Sequence, residues 1–373
     1  MTIAVVEVIG IRAPRKEVVR AGSGISPVTH SEFGIVRILT EDGLEGVGEI
    51  SITAPRIGLT LCHAADTLVG PAIVGLDEMR LPVVMAAIDR ALMGELSAPY
   101  LRAAFEMAVL DLQGKRIGCP VFQLLGGKAR DRVALAWGIY QKAPAEMAAD
   151  ARVAVEAGYA AIKLKVGRRL EEDLAAVRAV VAAIGPDVPL RLDANMAWKS
   201  VPEAVAAIDA FAAIARIAWV EQPLPRTNLD GLRLLRQRSR VPIMADESLQ
   251  TPFDAWEVAR REAADVFNVY LVEAGGILPA RQILDFAATL DIPCILGSQA
   301  ELGIGTAAAA HLAVATGSLT LPIETFGPLR YPDDIVVATP RIDGGHLYPP
   351  DGPGLGVELD WAVIDTWRAP FRA

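Results

Sequence analysis

Hydrophobic positions along the chain fall into two rhythms. Up to about residue 128, alternating stretches around VEVIGIR and EFGIVRILT, with a turn at Asp42-Gly43, predict paired strands, and a run of helical segments follows them. The last of these, LRAAFEMAVLDLQGKRIG, carries apolar residues at three- and four-residue spacing and stops at Gly118 ahead of Pro120. This first part reads as an α+β unit, with LLGGKARDRV as the boundary after it. From there short β-type runs alternate with alanine-rich helical stretches. The runs are VALAWGI, AIKLKV, PLRLDA, IAWVEQ, PIMADE, DVFNVYL, PCILGS and SLTLPIE. Eight such runs, nearly all followed by a helical stretch, are the count expected of a parallel (β/α)8-type barrel, an α/β fold. An open doubly wound sheet is the structural alternative. Beyond Glu324 the chain turns proline- and glycine-rich (PPDGPGLGV), too short for a domain, and is expected to pack back on the N-terminal unit.

Composition narrows the function. With 52% hydrophobic residues, 22% charged residues and a formal charge of −9, the chain describes a well-filled soluble globule, a poor partner for nucleic acid or anionic membranes. Its three cysteines, Cys62, Cys119 and Cys294, suit neither a disulfide framework nor a thiolate zinc site and read as small buried hydrophobes, so a cytoplasmic setting is expected. Glu7 and Arg12 break the first apolar stretch, which predicts a strand rather than a signal, and charges interrupt the other apolar runs before a bilayer could be spanned.

The strand ends carry the chemistry. Seven of the eight runs finish in groups that are costly to bury without purpose: Lys163 and Lys165, Asp193 and Asn195, Glu221, Asp246 and Glu247, Asn268 and Tyr270, Ser298 and Gln299, and Glu324. From Lys165 through Asp193, Glu221, Asp246 and Tyr270 to Ser298 the steps are 28, 28, 25, 24 and 28 residues, one βα unit each. That spacing brings all of them to the C-terminal mouth of a barrel. Singly, each acid could merely cap the following helix. Together Asp193, Glu221 and Asp246 offer a hard, all-oxygen donor set that favours Mg2+ over zinc. Lys163 and Lys165, two apart on one strand, point to the same side, where a second ammonium nearby is expected to lower the pKa of one lysine and make it a base. A lysine facing a hard metal suits removal of the proton beside a carboxylate held on that metal.

The segments AIKLKV, RLDANMAW, WVEQPL, ADES and EAGGI, preceded by AAFEMAVLDLQGKRIGCPVFQLLGG, resemble the muconate lactonizing enzyme subgroup of the enolase superfamily across nearly the whole chain. The resemblance implies a capping domain over residues 1–128, a modified barrel over 129–325, and a tail, 326–373, returning to the cap. It implies Mg2+ on Asp193, Glu221 and Asp246, Asn195 and Glu247 around that site, Lys165 as the proton-transferring lysine and Lys163 as its partner. A small carboxylate substrate and a homo-oligomer are expected with it. Where the subgroup usually reads NIKLxKxGGI on the sixth strand, this chain reads NVYLVEAGGI, so Tyr270 occupies a lysine position. A phenol is a neutral donor at pH 7, which disfavours two-base racemisation and leaves one-base cycloisomerisation or syn-elimination. An epimerase of an amino-acid or proline-like acid, and an inactive metal-containing binding protein, are the alternatives. Glu301 matches a position near substrate and could relay a proton or cap a helix. Trp137, Tyr140, Ser298 and Gln299 are candidate pocket residues. The stretch AGSGISPVTH resembles the family's lid and contributes His30 as a possible substrate contact. His63, His311 and His346 read as structural.

Overall fold

The computed structural model describes residues 1–19, 28–52, 57–93 and 98–371. Strands β1 (Ile3–Val19), β2 (Val28–Thr40) and β3 (Glu45–Ser51) form an antiparallel sheet in chain order. The β2–β3 hairpin turns at Asp42-Gly43 as the sequence predicts, Gly43 supplying the left-handed φ of 82°. The helix Ala98–Ile117 packs on β3 at backbone distance. A Cβ on Gly48 would stand 1.8 Å from the Ala104 carbonyl oxygen, so glycine there is what permits the contact. Of the lid stretch, residues 21–27 lie outside the described residues.

The barrel strands follow: β4 (Val133–Ala134), β5 (Ala136–Ile139), β6 (Ala161–Lys165), β7 (Leu190–Asp193), β8 (Ile217–Glu221), β9 (Ile243–Ala245), β10 (Val266–Val269) and β11 (Cys294–Leu296). β5 to β11 pair in parallel, in chain order, as a seven-stranded sheet. Two of the eight expected runs behave differently. The first splits, with β4 leaving the barrel to join the tail hairpin of β12 (Ile342–Asp343) and β13 (His346–Leu347). The eighth, SLTLPIE, is reduced to bridges: Ile323 N–H donates to the Ala134 carbonyl (2.9 Å), Ala136 N–H to the Ile323 carbonyl (2.8 Å), and Glu324 N–H to the Leu296 carbonyl (2.8 Å). Pro322 brings no N–H to a longer ladder. The ring is nonetheless closed, and Glu324 is held at its mouth. The tail ends along the N-terminal sheet, where Ala369 N–H bonds the Gly10 carbonyl (2.8 Å).

Each barrel strand is buried on both faces. Outward residues such as Ile162, Leu164, Leu192, Val220 and Phe267 join the main core under the helices, while Trp219, Met244, Val266 and Ile295 fill the barrel floor as a separate cluster. Above that floor lies Arg191, 1% exposed, its guanidinium 4.2 Å from the Trp219 ring centre and paired with Glu324 at 3.2 Å. Cys62 and Cys294 are buried, and Cys119 is partly so. No helix among the described residues is long and apolar enough to cross a membrane.

His311 ties three parts of the chain together. It sits on the wholly buried helix Gly303–Ala315, its Nδ1 accepting from Phe122 N–H (3.4 Å) and its Nε2 facing the Leu355 carbonyl (3.1 Å). Only a neutral ring protonated on Nε2 satisfies both partners. Burial pushes its pKa down to about 4 from an ordinary 6.5. Between those values the unfolded chain takes up the proton first, so stability is lost as pH falls from about 6.5 to 4, by up to roughly 3 kcal/mol. Urea unfolding across that range should show this slope, and His311→Gln should flatten it; equal slopes in both proteins would refute the assignment.

Candidate active site

Register sets the site. Lys165 pairs with Asp193, and Asp193 with Glu221, so these three side chains stand at one level on adjacent strands. Glu221 pairs with Met244, and Asp246, two residues further, points the same way from just beyond β9. The ligand-type oxygens of Asp193, Glu221 and Asp246 lie within 4.8 Å of one another, and all three residues are buried.

The electrostatics around this triad is uneven. Asp193 faces Lys165 Nζ at 2.5 Å and Lys163 Nζ at 3.3 Å. Although burial opposes it, these cations hold its pKa below the usual carboxylate range. Glu221 is pushed up to about 8, first by burial and then by Asp193. Asp246 is held well above its ordinary value by burial, Glu247 and Glu221, and no cation lies within ion-pair distance of it among the described residues. Three buried carboxylates repelling one another form a donor set whose cost a divalent cation would offset, and their all-oxygen character fits Mg2+.

Lys163 is pinned by Glu221 (3.1 and 3.2 Å), Asp193 and Glu324. Lys165 also donates to Asn195 Oδ1 at 2.9 Å, and Asn195 in turn donates to Glu247 at 3.3 Å. The expectation that the paired ammonium lowers the lysine pKa is corrected here. Burial and Lys163 do push Lys165 down, but Asp193 and Glu221 outweigh them and hold it above its ordinary value; Lys163 is raised further still by Glu221, Glu324 and Asp193.

A cavity of about 220 Å³ opens above these groups, walled by Lys163, Lys165, Asn195, Asp246, Glu247, Tyr270, Ser298, Gln299, Glu324 and Tyr140 from among the residues singled out in the sequence. Tyr270 is buried on the wall opposite Lys165, and a Cβ on Gly297 would come within 2.3 Å of its ring, so that glycine makes the space for it. Three other candidates stand elsewhere. Trp137 lies behind the wall, its ring 4.9 Å from Phe326 and from Tyr159. His30 is exposed on β2, with Nδ1 2.9 Å from the Thr29 hydroxyl. Glu301 is buried and folds back on its own loop, accepting from the Ser298 hydroxyl and from Gln299 N–H (2.9 Å), so it shapes the two wall residues rather than joining them.

Residues 146–363 match the family described as enolase C-terminal domain-like, and residues 9–126 match the mandelate racemase/muconate lactonizing enzyme N-terminal domain. The chain belongs to the enolase superfamily, in its muconate lactonizing enzyme-like subgroup. It is 36% identical over 345 residues to muconate cycloisomerase 1-2 of Acinetobacter lwoffii, covering 91% of this chain and 88% of that one. It is 33% identical over 352 residues to L-Ala-D/L-Glu epimerase of Clostridium acetobutylicum, covering 93% and 95%. The muconate lactonizing enzyme of Pseudomonas fluorescens, crystallised with muconolactone, superposes with a TM-score of 0.93 at 30% identity, covering 99% of both chains.

In this enolase-superfamily chain the wall also includes Arg15, Glu273, Phe326 and Arg330, which sequence reasoning missed. Arg330 is enclosed by Trp137, Tyr140 and Phe326, its guanidinium carbon 4.2 to 4.9 Å from the ring centres, and pairs with Glu17 at 2.6 Å. It lies in the tail and Arg15 on β1, so only the folded chain brings them here. Glu273 did carry a signal: the stretch NVYLVEAGGI replaces the second lysine of NIKLxKxGGI as well as the first.

Proposed function

We propose that the protein is a Mg2+-dependent enzyme that removes the α-proton of a small carboxylate with a single base, Lys165, and completes a cycloisomerisation or a syn-elimination on the same face. The observation that supports this most is Tyr270. The wall facing Lys165 carries a buried phenol whose pKa burial and the neighbouring carboxylates push up, away from proton exchange at neutral pH. Asp193, Glu221 and Asp246 would hold the metal, with Asn195 and Glu247 fixing their surroundings. Bound there, Mg2+ would act as a Lewis acid toward the substrate carboxylate and stabilise the negative charge that develops as the α-proton leaves.

The chain's own groups do the rest. Asp193 would share its charge between Lys165 and a bound dication, which would favour the free amine of Lys165 as the base. Having taken the proton, Lys165 is steadied by Asp193 and Asn195 and can return it to the same face. Lys163, pinned by three carboxylates, stays an ammonium and supplies fixed positive charge beside the substrate carboxylate. Tyr270 donates a hydrogen bond from the opposite face.

The relatives divide between cycloisomerases and epimerases, so the test must separate one base from two. Deuterium uptake at the α-carbon from D2O, followed by mass spectrometry over muconates and their lactones, sugar acids, N-acyl amino acids and proline derivatives, is expected to depend on Mg2+ and to proceed without inversion. Tyr270→Lys should then introduce inversion of the exchanging centre. Inversion by the unmodified protein would overturn the single-base reading.

A further inference from the structure

Glu273 is a buried carboxylate with no salt-bridge partner among the described residues. It sits on the one-turn helix Leu271–Ala274 directly after Tyr270, is 7% exposed, and forms part of the cavity wall. Three neutral donors from three separate segments converge on it. Oε1 accepts from the Tyr100 hydroxyl of the capping helix (3.3 Å) and from Gln299 Nε2 (2.5 Å), and Oε2 accepts from Gln250 Nε2 (3.2 Å). No cation lies within ion-pair distance of it among the described residues, and the charges acting on it include the like-charged Glu301. A carboxylate offers about four acceptor positions, so three donors orient it and leave one direction open.

Asp246 and Glu247 belong to the metal site and its surroundings, and the remaining charged wall residues are better served. Lys163, Lys165 and Glu324 belong to the ion network under the cavity, and Arg330 has Glu17. Arg15 is the rival feature. Its Nη2 has no hydrogen-bond partner, but the side chain is only half-buried, rests 5.3 Å from the Tyr331 ring centre and bonds Ser31 through Nε at 2.8 Å. A charge in partial contact with solvent has less to gain from a ligand than one nearly removed from it.

We propose that Glu273 is a specificity-determining residue that binds a protonated amine carried by the substrate beyond the carboxylate at the metal site. This rests on the reading of the site as acting on a small carboxylate, and it narrows that class to amine-bearing acids. Tyr100, Gln250 and Gln299 hold the carboxylate in place, and the ammonium supplies a counter-charge that none of the described residues brings within ion-pair distance.

Calorimetric titration of the Mg2+-loaded protein tests this with matched probes: the ω-amino acids from 4-aminobutanoate to 6-aminohexanoate, their isosteres from pentanoate to heptanoate, and the dianion pimelate. At least one amine should bind about tenfold tighter than its isostere, the scale of a charge-assisted hydrogen bond. Glu273→Gln should reduce that ratio to about twofold or less. A ratio near one across the series, a preference that survives Glu273→Gln, or tighter binding of pimelate than of any amine would each overturn the proposal. The unmodified protein's preference decides the matter even if the variant folds poorly. α-Proton exchange without amine preference would sink this inference and leave the reading of the reaction standing; amine preference without exchange on any acid would do the reverse.

Discussion

Lys165→Ala is expected to lower turnover by about 10²–10⁴-fold, the range that a positioned general base contributes. The fold should survive, because Lys165 closes no packing contact that the barrel floor depends on: the Trp219, Met244, Val266 and Ile295 cluster lies below it. Mg2+ should still bind. With the amine 2.5 Å from Asp193 gone, that carboxylate has one competitor fewer for its charge, so affinity should hold or rise. Stopped-assay kinetics on the substrate found by exchange, with Mg2+ titration of the same variant, reads both quantities. A variant with near-native turnover would end the assignment of Lys165 as the base, and loss of metal binding would show that it serves the donor set instead.

Asp246→Asn is expected to weaken Mg2+ binding by at least about 100-fold, since residues that merely orient metal ligands already contribute 10–100-fold and Asp246 would be a ligand itself. Its effect on stability should run the other way. Asp246 is buried beside Glu247 and Glu221 with no cation at ion-pair distance among the described residues, and removing its charge relieves that repulsion. The metal-free variant should therefore melt no lower than the metal-free native protein. In the native protein, Mg2+ should raise the melting temperature by mass action, and chelation should reverse the rise. In Asp246→Asn that dependence should vanish at concentrations that saturate the native site. Melting curves in Mg2+ and in chelator give all four values. A native protein indifferent to both would remove the support for a metal on these three carboxylates.

Much of the site was legible because two simple periods generate it. Side chains alternate along a strand, and one βα unit separates each strand from the next, so Lys163, Lys165, Asp193, Glu221, Asp246 and Tyr270 could be placed on one inner rim by counting. The structure puts them there, with Lys165, Asp193 and Glu221 level on adjacent strands. The turn at Asp42-Gly43 and the end of the helix at Gly118 were readable for the same reason, since each depends on a few neighbouring residues.

What depends on distant parts of the chain was not. The eighth run has a strand-like pattern, yet its pairing is decided by Ala134 and Leu296 on either side and reduces to bridges around Pro322. Trp137 has a strand-end position like Tyr140, but Phe326 and Arg330 from the tail stand in front of it. Glu301 aligns with the rim and is turned back by its own loop. Most telling is the lysine pair. Sequence alone shows two ammonium groups close together and predicts a lowered pKa for one of them; the folded barrel sets Asp193, Glu221 and Glu324 around the pair, and the sign reverses. The sequence by itself determined which chemical groups reach the rim, because strand geometry is local. Only the tertiary structure decided their charge balance and their company on the wall, because electrostatic energy and packing are set by distance in space, across contacts such as Arg15, Tyr100 and Arg330 that lie far apart in the chain.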